Sequence, residues 1–263
     1  VQSAIAKGVE DAKKNGEAVK APVEVEATRN SNTAPTVKVE LPKGTGETKV
    51  EIPVSNVKPG TVAVLVHADG TEEIVKNSLP TEDGIQLTVD GSATVKIVDN
   101  SKDFIDTRNH WAKDAINYVT DKGLMNGTGS NTFSPNASTT RGMLMTVLAR
   151  YAGEDTAGGA TWYEKGMNWA KAKGVSDGTN PTVKITREQL VTMLYRYAGS
   201  PAANGSLDRF SDAASVNSYA ANAMQWAVAN GIVNGLNGKL NPQNNATRAQ
   251  VAAILMRFCE MSK

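Results

Sequence analysis

Three copies of a Thr-Arg pair place a basic side chain where it could bind an anion. The pentads TTRGM, ITREQ and ATRAQ occupy residues 139–143, 185–189 and 246–250. Each begins an amphipathic helical pattern, so Arg141, Arg187 and Arg248 fall in a first helical turn. A cation there faces the positive end of the helix dipole, at a cost of about 0.3–1 kcal/mol. Two explanations stay open: each arginine bonds a neighbouring carboxylate or loop carbonyl, or arginine and helix N-terminal amides converge on one anion.

Helix capping explains the threonines of the same pentads. Thr186 with Gln189, and Thr247 with Gln250, have the spacing of a capping box, whereas Thr140 can only cap. The arginines nine positions after each pentad arginine fall in the last turn, where the dipole favours a cation; they are Arg150, Arg196 and Arg257. Only the first-turn arginines therefore need a further explanation.

The pentads belong to a longer repeat that predicts helix, glycine-bounded loop, helix. Aligned glycines with the spacing of a left-handed C-terminal cap are Gly123, Gly174 and Gly231. Twelve positions before them stand the aromatic residues Trp111, Trp162 and Tyr219. Four positions after them stand Gly127, Gly178 and Gly235. A single helix pair cannot bury its apolar stripe, so we expect the three copies to pack around a shared core.

The copies are unequal. The first and third begin with Asp106 or Asp212 in FID and FSD, and carry FSP or LNP before the second helix. The second copy lacks both features, and its loop is about five residues shorter. On sequence grounds Arg141 and Arg248 are therefore favoured over Arg187 as ligand-binding residues, and we expect Arg248→Ala to weaken ligand binding far more than Arg257→Ala, with little loss of stability.

Several candidate residues have two interpretations. Asp106 and Asp212 could cap the following helices or accept hydroxyl groups of a ligand. Trp111, Trp162 and Tyr219 could be core residues or could expose a face for stacking on a ligand. The glycines Gly127, Gly178 and Gly235 are interpreted first as turns, with amides that could also bond a ligand.

The first part of the chain has a different pattern. A helix is predicted over residues 3–15, with a strand in PVEVEA. Alternating β-branched runs follow over residues 36–99, separated by Asp-Gly pairs at residues 69, 83 and 90. We predict a small antiparallel, sandwich-like β domain of five or six strands with an N-terminal helix over residues 1–100. The second domain is predicted over 101–263, with repeats of roughly 101–153, 154–200 and 206–263.

Composition and charge narrow the function. The 263 residues have a net charge of +1, with 11 Lys/Arg against 15 Asp/Glu up to residue 100 and 17 against 12 afterwards. That excess is too small to predict nucleic-acid binding. No apolar run reaches the roughly 18 residues of a membrane helix. The single cysteine, Cys259, allows no internal disulfide, and neither a Ser/Cys-His constellation nor a metal-ligand spacing stands out. We expect no enzyme, cofactor or metal.

The repeats resemble the S-layer homology family. The resemblance is carried by FIDTRNHWA, GLMNG, FSP and TTRGM in the first copy, GVSDG and ITREQ in the second, and FSD, SYA, GIVNG, LNP and ATRAQ in the third. It implies an all-α pseudo-threefold spindle of three repeats at the C-terminal end of a bacterial surface protein. It also implies attachment to the cell envelope, hence an extracellular location at the cell wall.

The resemblance further implies a ligand. In this family the usual partner is a secondary cell-wall polysaccharide, often bearing a pyruvate ketal, held in grooves between repeats. By matched position the ligand-binding residues are Arg141, Arg187, Arg248, Asp106 and Asp212. Other surface-layer subunits are further candidate partners. The alternatives are an assembly module without glycan binding and, more distantly, a cell-wall glycan hydrolase.

Overall fold

The computed structural model describes residues 10–15, 18–20 and 36–261. It divides into two compact units. The first holds the described residues up to Lys102 together with Thr120–Gly123, and the second holds Asp103–Val119 and the described residues from Leu124 onward.

The described residues of the first unit form a short helix and eight strands. Residues 10–15 are helical (α1). The strands are β1 Val19–Lys20, β2 Thr36–Val39, β3 Glu47–Pro53, β4 Thr61–Val66, β5 Glu72–Ile74, β6 Leu79–Pro80, β7 Gly84–Asp90 and β8 Ala93–Asp99. They form two four-stranded sheets, in the orders β1-β3-β7-β6 and β2-β8-β4-β5.

Both sheets contribute to one apolar core, because alternate residues of their strands point inward. The core includes Val39 of β2, Val50 of β3, Leu87 of β7 and Val95 of β8. Gly84 begins β7 so close to β3 that an added Cβ would lie 1.9 Å from the Ile52 carbonyl oxygen. The Asp-Gly pair there therefore serves close strand approach, whereas Gly70 and Gly91 adopt positive φ in turns.

The prediction for this unit was only partly right. The five alternating runs between residues 36 and 99 form β2, β3, β4, β7 and β8. The sheets are not wholly antiparallel, since β1 pairs with β3 in parallel. Strands β1, β5 and β6 have two or three residues, too few to show a period. The PVEVEA strand and the first turns of the predicted helix lie outside the described residues.

Six α-helices make up most of the regular structure of the second unit. They are α2 Lys113–Asp121, α3 Arg141–Tyr151, α4 Glu164–Ala172, α5 Arg187–Tyr197, α6 Ala221–Ala229 and α7 Arg248–Glu260; the last two residues of α2 are grouped with the first unit. Helix α3 packs on α4 and α5 packs on α6, so these close pairs join one predicted repeat to the next. The predicted glycine caps are confirmed, with φ of 71° at Gly123, 70° at Gly174 and 69° at Gly231.

The expectation of an all-α spindle is wrong. The segments that precede α3, α5 and α7 are extended and form β-bridges with one another, at Ser138–Thr247, Thr140–Lys184 and Thr186–Asn245. Thr139 donates its backbone N–H to Ala246, Ala246 to Ile185, and Ile185 to Thr139, at 2.8–3.0 Å. All three residues have no exposed surface. Because buried backbone groups need partners, these segments pair as short β elements instead of remaining simple helix connections.

Candidate functional site

The three pentads begin helices as predicted. Thr140, Thr186 and Thr247 are the N-caps of α3, α5 and α7, and each hydroxyl accepts a hydrogen bond from the amide three residues later. The reciprocal bond, in which the threonine backbone amide donates to the glutamine Oε1, is present at Gln189 and at Gln250 and completes two capping boxes. The capping prediction is confirmed, including the incomplete box at Thr140.

The first two amides of each of these helices are already bonded to protein. The amides of Arg141 and Gly142 donate to the carbonyls of Val183 and Pro181, at 2.9 and 2.7 Å. The matching amides of α5 donate to Asn244 and Pro242, and those of α7 donate to Ala137 and Pro135. With the third amide taken by the capping threonine, these helix N-termini offer no free first-turn amide to an anion.

Each first-turn arginine also bonds a loop carbonyl of another segment. The Nε atom donates to Thr179 from Arg141 at 3.1 Å, to Leu240 from Arg187 at 2.9 Å, and to Phe133 from Arg248 at 2.8 Å. These bonds explain why a cation is accepted near the positive end of a dipole, since a charge-assisted bond contributes about 1.5–3 kcal/mol. An external anion is not required to explain the position of the arginines.

Asp106 and Asp212 hold the same loop turns from the opposite side. The carboxylate of Asp106 accepts the amides of Phe133 and Ser134 at 2.8–3.2 Å, and Asp212 accepts those of Leu240 and Asn241 at 2.8 Å. Desolvation opposes ionisation, but these amides bring the pKa of both carboxyl groups below the ordinary value. Their observed bonds are those of turn clamps.

The second of the three repeat segments, residues 154–200, forms the same turn although it lacks the Phe/Leu-x-Pro motif. Thr179-Asn180-Pro181 takes the place of Phe133-Ser134-Pro135 and of Leu240-Asn241-Pro242, and the middle residue has φ of 55°, 52° or 50° at Ser134, Asn180 or Asn241. Asp177 replaces the early aspartate, because its Oδ1 accepts the Thr179 amide at 3.0 Å and hydroxyl at 2.8 Å. A search for any residue followed by Ser/Asn-Pro, in place of Phe or Leu, would have found this turn.

The loop glycines are explained by space and backbone geometry. An added Cβ would lie 2.8 Å from the Phe104 ring at Gly127 and 2.6 Å from the Phe210 ring at Gly235. Gly178 and Gly235 also have positive φ, of 72° and 78°.

The three aromatic candidates lie at the surface. Trp111, Trp162 and Tyr219 are 66%, 55% and 50% exposed. In contrast, Trp226 is 4% exposed and packs against Phe258. These three rings are not part of the buried core, so each can offer an aromatic face to a sugar.

The remaining guanidinium atoms differ most between the three arginines. Arg248 is 4% exposed, stacks on the Phe133 ring at 4.4 Å, and donates from Nη2 to the Asn126 carbonyl at 2.6 Å and from Nη1 to the Met143 sulfur at 3.2 Å. Every nitrogen of Arg248 is therefore bonded within the protein. This geometry does not favour Arg248 as a ligand group.

Arg187 has the opposite character. It is partly buried, and its terminal nitrogens make no hydrogen bond to the described residues. It lines a cavity of about 360 Å³ with Arg257, Trp111, Gly235 and Gln250; the other lining residues are Val233, Asn234, Leu236, Ala253 and Ile254. Burial lowers the pKa of the Arg187 guanidinium, Arg257 lowers it further, and Asp212 opposes the shift. Two cations thus meet in one concave site.

Two residues at these sites were not singled out from the sequence. Arg257 was interpreted as a last-turn cation, but it enters this cavity through tertiary packing. Glu188 is 1% exposed, and its carboxylate accepts bonds from Asn217, Tyr219 and Gln243. Neither role has a local sequence signal, because the partners come from other segments.

The described residues form no cluster of metal-binding side chains. No group of three or more His, Cys, Asp or Glu among them could hold a metal ion. His67 pairs with Glu73 and His110 contacts Asn136, both near the surface. Cys259 is buried. Within the described residues, no helix has the length and apolar character needed to cross a membrane.

Comparison with known proteins identifies two matching segments. The S-layer homology domain family matches residues 103–142 and 209–252. These lie in the first and third predicted repeats, and the existence of three family repeats stays a prediction. The second segment departs most from the family pattern through its shortened loop and its substituted aspartate.

Two curated relatives match part of this chain. An amylopullulanase of Thermoanaerobacterium thermosulfurigenes is 32% identical over 180 residues, which cover 61% of this chain and 10% of that protein. A surface-layer 125 kDa protein of Lysinibacillus sphaericus is 26% identical over 166 residues, which cover 57% of this chain and 14% of that protein. The chain therefore spans only a small part of either relative. The family match and the surface-layer relative support a cell-wall anchoring or S-layer role at the cell surface.

Proposed function

We propose that this chain is a non-catalytic anchoring module that binds an anionic, pyruvate-bearing cell-wall polysaccharide. The single observation that carries this proposal is the convergence of Arg187 and Arg257 on one cavity beside the exposed ring of Trp111. We call this cavity the Arg187 groove. It lies in the extracellular part of a surface protein in this proposal.

Electrostatics favour an anion in the Arg187 groove. No Asp or Glu is among its described lining residues, while two guanidinium groups are. Burial, followed by repulsion from Arg257, lowers the pKa of Arg187, and a negative charge that enters the groove would offset both effects. A pyruvate carboxylate suits this arrangement, since a planar guanidinium matches a carboxylate with two parallel hydrogen bonds.

The rest of the lining suits a sugar. Trp111 offers an exposed aromatic face, and Leu236 adds an exposed apolar side chain. Gln250 uses Oε1 in its capping box, so its Nε2 donors stay available for hydroxyl oxygens. A volume of about 360 Å³ is at the small end of ligand pockets, which matches the end of a glycan chain better than its middle.

Anchoring also agrees with the diversity of the relatives. One is an amylopullulanase and the other a surface-layer protein, and the part matched by this chain is only 10% and 14% of their respective lengths. A shared attachment segment can serve proteins with different activities, because its function depends on its own site. We therefore place any activity of the parent protein outside the binding groove.

Sedimentation of the chain with purified cell walls tests the proposal. Binding is expected to disappear after the pyruvate-bearing polysaccharide is extracted. Arg187→Ala is expected to weaken binding at least about tenfold, because it removes one of two charges that face the ligand. Arg108→Ala is the control, since Arg108 carries the same charge but pairs with Asp103 at the surface.

Two results would contradict glycan anchoring. Binding that survives extraction of the polysaccharide would favour protein–protein assembly. Release of reducing sugars from the same walls by the purified chain would favour a hydrolase.

A further inference from the structure

One matched loop position carries a charge in only one of the three segments. The residue before the loop glycine is Asn126 in the first segment, Asp177 in the second and Asn234 in the third. Asn234 lines the Arg187 groove, whereas Asp177 lines a second cavity of about 220 Å³ with Arg141, Ser176, Gln189, Thr192, Met193, Arg196 and Tyr219. We call this cavity the Arg141 groove.

The Arg141 groove resembles the Arg187 groove in its composition. Each has a first-turn arginine, a last-turn arginine, a capping-box glutamine and an exposed aromatic ring. In the Arg141 groove these are Arg141, Arg196, Gln189 and Tyr219. The feature that separates the two grooves most clearly is the carboxylate of Asp177.

That carboxylate already binds the arginine. Oδ1 of Asp177 lies 3.2 Å from Nη2 of Arg141, whose side chain is 12% exposed, and Ser176 Oγ accepts from the same nitrogen at 3.3 Å. The Thr179 amide and hydroxyl hold the carboxylate in place at 3.0 and 2.8 Å. Hydrogen bonds from Thr179, followed by the charge of Arg141, lower the pKa of Asp177, so it stays ionised at neutral pH. An incoming anion would meet a negative charge and an occupied arginine.

We propose that Asp177 is an internal carboxylate that takes the place of the ligand's carboxylate and keeps the Arg141 groove from binding anions. This inference rests on the proposed function, because it takes the pyruvate-bearing sugar as the ligand of the Arg187 groove. The nitrogens of the third first-turn arginine, Arg248, are all bonded to Asn126, Phe133 and Met143, so none is left for a ligand. The chain therefore takes up one ligand, and residue 177 sets this number.

Isothermal titration calorimetry of the full chain tests the inference with two opposite substitutions, one that removes the carboxylate from the Arg141 groove and one that adds a carboxylate to the Arg187 groove. The probe is the methyl glycoside of an N-acetylhexosamine bearing a pyruvate ketal, and its uncharged methyl ester is the control probe. Asp177→Asn keeps an acceptor oxygen for Thr179 and gives the loop the residue found in the other two segments. Asn234→Asp introduces the internal carboxylate into the Arg187 groove. Thermal melts establish that both variants are folded.

The expected stoichiometry is one for the unchanged chain and two for Asp177→Asn. Asn234→Asp is expected to weaken the single site at least about tenfold, and the ester is expected to bind at neither groove. If Asp177→Asn gains no site, the inference is overturned, whether the unchanged chain binds one probe or none. If Asp177→Asn gains a site while the unchanged chain binds none, the inference stands and the proposed role of the Arg187 groove fails.

Discussion

The contacts of Arg248 predict that this residue stabilises the fold more than it binds ligand. Arg248→Ala removes the donors that satisfy the carbonyls of Phe133 and Asn126, at 2.8 and 2.6 Å. It also removes a cation stacked 4.4 Å above the Phe133 ring. The matched variant Arg187→Ala removes one described hydrogen bond, to Leu240 at 2.9 Å.

The size of the effect follows from these contacts. A hydrogen bond to a charged group contributes about 1.5–3 kcal/mol, and burial of the guanidinium offsets part of that gain. A desolvated cation–π contact adds about 1–2 kcal/mol. We expect Arg248→Ala to lower the free energy of unfolding by about 3–5 kcal/mol and Arg187→Ala by about 1–2 kcal/mol. For a unit of this size, the first value corresponds to a fall in melting temperature of roughly 10 °C.

Tryptophan fluorescence can follow this unit selectively. All four tryptophans, at positions 111, 162, 169 and 226, belong to the second unit. Urea titrations of the unchanged chain, Arg248→Ala and Arg187→Ala give the differences in unfolding free energy directly. Equal losses for Arg248→Ala and Arg187→Ala, or a loss below about 1 kcal/mol for Arg248→Ala, would refute the assignment of Arg248 to the fold.

Two further predictions concern carboxylates that bind several donors. Glu188→Gln places amide donors against the donors of Asn217, Tyr219 and Gln243. We therefore expect the free energy of unfolding in urea to fall by about 1–3 kcal/mol, and an unchanged urea midpoint would contradict this. Asp106 and Asp212 have pKa values in the folded state below the unfolded value of about 3.9. Each carboxylate therefore stabilises the fold at pH values above the unfolded pKa, and this contribution is lost as the pH falls through the folded pKa. The double variant to Asn should flatten the fall in melting temperature between about pH 5 and pH 2, and an unaltered profile would count against the clamps.

Local chemistry made part of this unit predictable. A capping box needs only Thr186 and Gln189 at the right spacing, and a left-handed cap needs only a glycine such as Gly174. Both features are decided within a few residues of the chain, and both are confirmed. The main strands of the first unit were predictable for the same reason, because alternation of apolar and polar residues is itself the local signal of a strand.

Local sequence could not predict which of the three first-turn arginines is best placed to bind a ligand. Arg141, Arg187 and Arg248 share the same sequence context, but their surroundings come from loops as many as 122 residues away. The early aspartates made the grooves of Arg141 and Arg248 look favourable, yet they clamp turns. We propose Arg187 instead, although its own segment has no such aspartate, because no Asp or Glu is among the described residues that line its groove.

The three backbone bonds among Thr139, Ile185 and Ala246 have a consequence for avidity. Each residue gives one bond and receives one, so the circuit is complete and has no open end. In a solenoid, by contrast, another repeat can always stack on the last one. A fourth segment would find no vacant donor or acceptor here, and removal of one would strand a buried N–H and a buried C=O. Stronger attachment is therefore expected from several whole modules on one surface, acting through multivalency, and not from a longer array within one module.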